Sequence, residues 1–114
     1  MSQRVARAQE VAREVLGETI QNLKDPRIGF ATVTGVRMTT DLRHARVLVS
    51  VLGTPEEEEQ TMAGLRSAAP YIRSELGRQV RLKYLPELTF ELDRRAQTAE
   101  RVESLLRSIH LEER

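Results

Sequence analysis

The spacing of apolar residues changes along this chain, and the order of these changes limits the fold. Residues 3 to 23 repeat apolar positions every three or four residues, which predicts an amphipathic helix that stops before Pro26. Residues 28 to 39 and 46 to 52 alternate instead, which predicts the two strands of an antiparallel hairpin. The phase of the first strand flips at Thr34-Gly35, which indicates a β-bulge.

The segment after the second strand predicts two helices with a break between them. Thr54 and Glu57 have the spacing of a capping box, so the first of these helices should begin one residue after Thr54. Pro70 interrupts the helical pattern, because proline lacks a backbone donor and clashes with the preceding turn. We therefore expect a structural kink near Ala68, Ala69 and Pro70.

The last third of the chain returns to alternation and then to a helical pattern. The third strand should run from Glu87 to Asp93, because Pro86 lacks the backbone N–H that pairing within a sheet requires. Apolar residues then recur at helical spacing, which predicts a last helix from about Ala96 to Ile109.

The predicted order is α-β-β-α-α-β, followed by the terminal helix. Two helices connect the second and third strands, so these strands should be parallel if they are neighbours. Three strands offer one apolar face that the helices must cover, which predicts a two-layer α+β sandwich. We expect one domain over residues 1–95 and a C-terminal helix and tail over residues 96–114.

Few residues of this chain suit catalysis or metal binding. Cysteine is absent, and the two histidines, His44 in the predicted hairpin turn and His110 near the C-terminus, suit surface positions. The run Glu56–Glu59 occupies the first turn of a predicted helix, where the helix dipole stabilises negative charge. No glycine spacing matches a phosphate-binding loop, and no apolar run approaches the ~20 residues that span a membrane. We therefore expect no enzyme activity, catalytic residue, metal, cofactor or membrane contact.

The charged residues are unevenly distributed, although the formal net charge is only +1. Outside Glu56–Glu59, Glu112 and Glu113, the chain carries 18 basic and 11 acidic residues, a net charge of +7. A basic body of this kind can bind nucleic-acid phosphates, but a mixed, solvated surface has the same composition. We expect at least three of the four aromatic residues in the core, which speaks against a base-stacking platform. These four residues are Phe30, Tyr71, Tyr84 and Phe90.

The order and spacing of several short motifs resemble the ribosome-binding factor A family over about residues 4 to 106. In the first half, the motifs are Asp25-Pro26-Arg27, Val33-Thr34-Gly35-Val36, Asp41-Leu42, Ala45-Arg46-Val47 and Val49-Ser50. In the second half, they are Leu65, Ala68, Tyr71-Ile72-Arg73, Leu76-Gly77, Arg81-Leu82, Pro86-Glu87-Leu88-Thr89-Phe90 and Asp93. Where that family has an Ala-x-Gly element at the kink, this chain has Ala68-Ala69-Pro70.

The resemblance implies a KH-like fold with the type II order of elements, α-β-β-α-α-β. It implies a monomeric assembly factor of the bacterial cytoplasm that binds the immature, free 30S subunit and its 16S rRNA. The 70S ribosome is not an implied partner, and assembly GTPases are further candidate partners. The resemblance also implies a non-catalytic role in late maturation and 5′-end processing of 16S rRNA and in adaptation to cold.

Together with the excess of basic residues outside the acidic patches, this resemblance selects six candidate RNA-binding residues. They lie at the hairpin, on the helix after the kink and beyond that helix, and they are Arg43, Arg46, Arg73, Arg78, Arg81 and Lys83. The alternative is a protein-interaction module, in which the acidic helix start and the terminal helix bind a partner and RNA binding is incidental.

Overall fold

A computed structural model describes residues 2–95 and 103–109 of the chain. Within residues 2–95 the helices and strands follow the order α-β-β-α-α-β that the sequence predicts. Their bounds are α1 Gln3–Gln21, β1 Phe30–Met38, β2 His44–Leu52, α2 Pro55–Ser67, α3 Ala69–Gln79 and β3 Glu87–Leu92.

The three strands form one sheet in the order β1-β2-β3. The hairpin strands β1 and β2 are antiparallel, and β2 and β3 are parallel, as the two-helix connection predicts. One face of the sheet carries the alternating apolar residues of β2, namely Val47, Val49 and Val51, which are all buried. Helix α1 packs on β1, and α2 and α3 pack on β3, so all helices of residues 2–95 cover this same face. The predicted two-layer α+β sandwich is confirmed. None of α1, α2 and α3 covers the other face of the sheet, which we call the open face.

Helix α1 also protects the edge of the sheet. The side chain of Gln9 accepts a hydrogen bond from the backbone N–H of Met38 at 2.8 Å, and Gln21 donates to the carbonyl of Ala31 at 3.2 Å. Because β1 is an edge strand, these bonds satisfy backbone groups that have no neighbouring strand to pair with. Leu16, on the same helix, is fully buried and anchors α1 in the core.

The connection between β2 and β3 has the predicted cap and break. Thr54 and Glu57 form the capping box: the Thr54 hydroxyl accepts from the Glu57 N–H at 3.2 Å, and the Glu57 carboxylate accepts from the Thr54 N–H at 3.1 Å. Only Ala68 stands between the two helices. Ala69 and Pro70 belong to the first turn of α3, where the missing N–H of proline leaves no helical hydrogen bond unmade.

Two local predictions about side chains are wrong. Of the four aromatic residues only Phe90 is buried, whereas Phe30 is 80% exposed, and Tyr71 and Tyr84 are exposed as well. Phe30 lies on the open face of the sheet, where none of the helices of residues 2–95 covers it, so its position in an alternating strand did not place it in the core. His44 does not lie in the hairpin turn but is the first residue of β2.

The C-terminal helix is described only in part. Residues 103–109 are helical, and Leu105, Leu106 and Ile109 are each more than half exposed. The predicted residues 96–102 of this helix lie outside the described residues. The domain boundary after residue 95 stays a prediction.

The predicted bulge in β1 is confirmed, and the carboxylate of Asp93, just after β3, stabilises it. The register of β1 against β2 shifts between Val33 and Gly35, so Thr34 is the extra residue. The hydroxyl of Thr34 donates to the Asp93 carboxylate at 2.6 Å, and the Arg95 guanidinium donates to the same carboxylate at 2.7 and 2.9 Å. Hydrogen bonds from Arg95 and then from Thr34 hold the pKa of Asp93 far below its ordinary value.

We predict that Asp93→Asn lowers the free energy of unfolding at neutral pH and reduces the fall of this free energy as the pH is lowered. Because the pKa of Asp93 is lower in the folded than in the unfolded protein, its contribution is complete above about pH 4 and is lost as the pH falls further. Urea unfolding between neutral pH and about pH 2 measures this difference. Glu10→Gln, on the exposed surface of α1, is the control and should change neither quantity. An unchanged acid slope in Asp93→Asn contradicts the assigned role.

Candidate nucleic-acid interface

A groove of about 460 Å³ lies between the N-terminal half of α1 and the segment that follows α3. Four cations line it: Arg4, Arg7, Arg81 and Lys83. None of its described lining residues is acidic. The groove is therefore a local concentration of positive charge on a chain whose total charge is close to zero.

Two separate parts of the chain supply these cations. Arg4 and Arg7 are three residues apart, so both project from the same face of α1. Helix α3 ends at Gln79, and the following segment brings Arg81 and Lys83 beside α1. Leu82 between them is partly buried against the core, which fixes the segment while its two neighbours stay exposed.

The hairpin turn adds a cation at the same end of the molecule, and the segment after α3 adds an aromatic ring. The guanidinium carbon of Arg43 lies 4.0 Å from the ring centroid of Tyr84, and the Lys83 ammonium lies 5.4 Å from it. Such cation–π contacts position the two charges beside the exposed ring of Tyr84. The turn is ordered by Asp41, whose carboxylate accepts from the Arg43 N–H and the Thr39 hydroxyl. We call Arg4, Arg7, Arg43, Arg81, Lys83 and Tyr84 together the basic end.

Arg73 of α3 holds in place the segment that carries Arg81, Lys83 and Tyr84. The guanidinium of Arg73 donates to the carbonyl of Leu85 at 2.7 Å and to that of Pro86 at 2.8 Å. The same guanidinium lies 3.3 Å from the Glu87 carboxylate. Arg73 therefore binds the backbone just after Lys83 and orders the connection into β3.

The six predicted RNA-binding residues lie in different surroundings. Arg43, Arg81 and Lys83 meet at the basic end, together with Arg4 and Arg7, which the prediction did not select. Arg46 lies on the open face of the sheet and binds Glu91 at 2.7 Å, which lowers the pKa of that carboxyl. Arg78 binds Glu75 at 2.7 Å within α3, and Arg73 holds the connection described above. The RNA contacts of all six stay predictions.

Sequence reasoning had one signal that could have pointed to Arg4 and Arg7. Their spacing of three places them on a common helical face, apart from the buried face of Val5 and Ala12. The sequence did not show that residues 80–83 lie beside this face of α1, because only the folding of the chain brings the two segments together.

A second basic surface on the open face of the sheet differs from the groove in its charge balance. It contains Arg37, Arg46, Arg94 and Arg95, but also Glu91 and Asp93. Arg94 binds Glu58 at 2.9 Å. Arg46 is bound to Glu91, and Arg95 to Asp93, at 2.7 Å each. Carboxylates so close to the cations reduce the attraction for phosphate, so the groove is the better candidate for a phosphate-binding site.

Metal-binding and membrane-spanning features are both missing from the described part of the chain. Residues 2–95 and 103–109 contain no cluster of three or more histidine, aspartate or glutamate side chains that could hold a metal ion. In the same ranges, no helix has the length and hydrophobicity needed to cross a bilayer.

Comparison with known proteins identifies a family. Residues 4–106 match the family model described as ribosome-binding factor A. A ribosome-binding factor A of Natranaerobius thermophilus is 40% identical over 111 residues, which are 96% of this chain and 85% of that protein.

Solved structures give the same result for the fold. The crystal structure of ribosome-binding factor A from Thermus thermophilus matches with a TM-score of 0.71 and 32% identity, over 77% of this chain and 94% of that one. A solution structure of a Thermotoga maritima protein, described as a putative ribosome binding factor A, has a TM-score of 0.71 and 35% identity. The match covers 80% of this chain and 88% of that one. A homology model of Thermus thermophilus ribosome binding factor A, fitted into a cryo-EM map of a 30S–RbfA complex, has a TM-score of 0.65 and 33% identity. The match covers 75% of this chain and 90% of that one.

We predict that Arg73→Ala destabilises the protein while Arg78→Ala does not. Removing the Arg73 guanidinium leaves the carbonyls of Leu85 and Pro86 without their donor, at a cost of about 1–3 kcal/mol. Arg78 is exposed where it pairs with Glu75, so loss of its guanidinium should cost no more than about 0.5 kcal/mol. Urea unfolding of both variants measures the difference. Equal stabilities of the two variants contradict the structural role of Arg73.

Proposed function

Because the chain belongs to the ribosome-binding factor A family, we propose that it binds the small (30S) ribosomal subunit through 16S rRNA at the basic end. The observation that carries this proposal is the groove with four cations and no acidic residue among its described lining residues. A relative of 33% identity has been fitted into a map of a 30S complex, which supports the same class of partner for this chain.

The chemistry of the basic end suits an RNA backbone. Arginine presents a planar fork of donors that matches phosphate oxygens, and Arg4, Arg7 and Arg81 converge on one groove. Each phosphate neutralised releases counterions, so binding should weaken steeply as salt rises. The Tyr84 ring beside the groove adds a stacking surface for an unpaired base.

The remaining three candidates enter the proposal as secondary contacts. Arg46, Arg73 and Arg78 each have a partner within the protein, namely Glu91, the carbonyls of Leu85 and Pro86, and Glu75. Each would have to exchange or share that partner to reach a phosphate. Their contribution to affinity should therefore be smaller than that of the basic end.

In the cell, we propose that the protein acts by binding and not by catalysis. It holds the free, immature 30S particle during late maturation, supports processing of the 5′ end of 16S rRNA, and leaves the mature particle, so the 70S ribosome does not retain it. The proposal includes a monomer in the cytoplasm, assembly GTPases as further partners, and a requirement for the protein in the cold. Membership of the ribosome-binding factor A family supports this role.

We predict that Arg4→Glu combined with Lys83→Glu weakens binding to purified 30S subunits and flattens its salt dependence. Loss of two phosphate contacts should reduce the slope of log affinity against log salt by about 1.4–1.8, measured from about 50 mM to about 200 mM salt. Sedimentation or fluorescence titration measures both quantities.

The matched control for this experiment is Arg13→Glu combined with Arg107→Glu, which changes the net charge by the same amount outside the groove. This control should keep most of the salt slope. An equal loss in the two double variants would contradict a localised site and indicate an effect of net charge alone.

We predict that cells depleted of the protein accumulate 30S particles with unprocessed 16S rRNA, and that the defect grows at low temperature. Primer extension of the 5′ end, on subunits separated by sedimentation, measures the processed fraction. Wild-type protein should restore processing, and the Arg4→Glu, Lys83→Glu variant should not. Normal processing in depleted cells at every temperature tested would refute the proposed role.

A further inference from the structure

The three aspartates of this chain occupy the same kind of turn, each two residues before an arginine. The turns are Asp25-Pro26-Arg27, Asp41-Leu42-Arg43 and Asp93-Arg94-Arg95. In each turn the carboxylate accepts a hydrogen bond from the backbone N–H of the arginine, at 2.9 to 3.1 Å. In the first and third turns the guanidinium of that arginine also binds the carboxylate, at 2.7 Å in both.

The second turn differs, because its guanidinium points elsewhere. Arg43 lies over the ring of Tyr84, 4.0 Å from the ring centroid. Within the described part of the chain, Asp41 forms no ion pair with Arg43 or with another cation. The carboxylate that the other two turns neutralise is therefore left charged and open in this one.

Only one oxygen of the Asp41 carboxylate is used by the protein. Its Oδ1 atom accepts from the Thr39 hydroxyl at 2.6 Å and from the Arg43 N–H at 3.1 Å. These two bonds hold the pKa of Asp41 below its ordinary value, so the group is charged at neutral pH. A carboxylate has about four acceptor positions, so Oδ2, which accepts no hydrogen bond from the described residues, offers about two.

Asp41 lines a cavity of about 210 Å³ that adjoins the basic groove. Both spaces are lined by Arg4, Leu42, Leu82 and Lys83. The groove holds cations without a carboxylate, and the smaller cavity adds the one carboxylate. A nucleotide that lies against Leu42 and Leu82 can therefore present its phosphate to the cations and its base to Asp41.

The turn that presents Asp41 is fixed before a ligand binds. The N–H of Leu42 donates to the Thr39 carbonyl at 2.9 Å, and the Leu42 side chain is buried. Its φ of 60° is rare for a residue with a branched side chain, and such conformations persist only where the surroundings impose them. An acceptor held in place in this way loses little entropy when a ligand binds.

The chemistry of a carboxylate selects one of the four RNA bases. An ionised carboxylate only accepts hydrogen bonds. Guanine presents two adjacent donors on its Watson–Crick edge, N1–H and N2–H, whereas adenine, cytosine and uracil place an acceptor beside each donor. The two open positions on Oδ2 of Asp41 match the two donors of guanine, and the carboxylate repels the acceptors of the other bases.

We propose that Asp41, Leu42 and Leu82 form a site for a guanine base of unpaired RNA, whose phosphates bind the cations of the groove. The base is unpaired because Watson–Crick pairing would occupy both of its donors. The proposal rests on the proposed function, since the strand is 16S rRNA, and it adds a base preference to a surface that otherwise reads charge alone. A strand suits the groove better than a free nucleotide, because the cations come from two segments and can bind successive phosphates.

A first experiment measures the base preference of the wild-type protein. The isotope-labelled chain is titrated in an NMR experiment with short uridine oligonucleotides that carry guanosine, inosine, adenosine or cytidine at the centre. We expect shifts at Asp41, Leu42 and Leu82, and about tenfold tighter binding of the guanosine strand than of the adenosine strand. Inosine lacks N2–H and should bind with intermediate affinity.

Three outcomes of this titration would overturn the proposal. They are equal affinity for guanosine and adenosine, equal affinity for guanosine and inosine, and no binding of any strand. Tighter binding of GTP than of the guanosine strand would overturn RNA as the occupant.

A second experiment changes the open oxygen and keeps the turn. In Asp41→Asn the amide oxygen can still accept from Thr39 and Arg43, and an NH₂ donor replaces Oδ2. The guanosine strand should bind about tenfold more weakly than it binds the wild type. The all-uridine strand should bind equally or more tightly, because a negative charge beside the groove is gone. An equal change for the two strands contradicts base recognition by Asp41.

The matched control is Asp25→Asn, the same change in the same kind of turn but outside both cavities. This variant should keep the preference for guanosine. Loss of the preference in both variants would contradict a site at Asp41.

Binding to purified 30S subunits keeps the two proposals distinguishable. Asp41→Asn should weaken this binding several-fold without changing its salt slope, because no phosphate contact is lost. Unchanged or tighter binding of the variant overturns the guanine site and leaves the proposed function standing. Failure of the wild-type protein to bind 30S would instead overturn the proposed function.

Discussion

The structure depends on the burial of a single face of a three-stranded sheet. Val47 and Val49 of the central strand are fully buried, and Leu16, Leu65 and Ile72 reach them from the three helices. Each such side chain contributes about 1.5–3 kcal/mol when it leaves water, so the covered face supplies most of the driving force for this fold. Since α1, α2 and α3 all lie on this face, none of them covers the opposite face of the sheet.

Arginine has three different tasks in this protein, and only one of them suits phosphate binding. Arg73 binds backbone carbonyls and orders a connection, and Arg46 and Arg95 bind carboxylates on the sheet. Arg4 and Arg81 line a groove whose described lining has no acidic residue. A count of basic residues therefore overstates the surface that is available to RNA, because many guanidinium groups already have partners in the folded chain.

The elements of the fold could be predicted from the sequence because their signals are local. The capping box at Thr54, the bulge at Thr34 and the break at Ala68 each depend on residues within a few positions of one another, and all three are confirmed. The aromatic residues were the failure. Tyr71 and Tyr84 follow the apolar spacing of their segments, but that spacing does not tell which side chains the neighbouring elements cover, so the prediction that they are buried was wrong.

The sequence by itself determined the order of helices and strands, the parallel direction that β2 and β3 must have as neighbours, the excess of cations outside two short acidic patches, and the resemblance to a family. Only the tertiary structure decided where the charge acts. Residues 4 and 81 are distant in the chain, and Arg4 meets Arg81 because α1 and the segment after α3 cross at one end of the sheet. Side-chain periodicity reports the local conformation of the backbone, whereas a binding surface depends on contacts between distant segments, which packing alone selects.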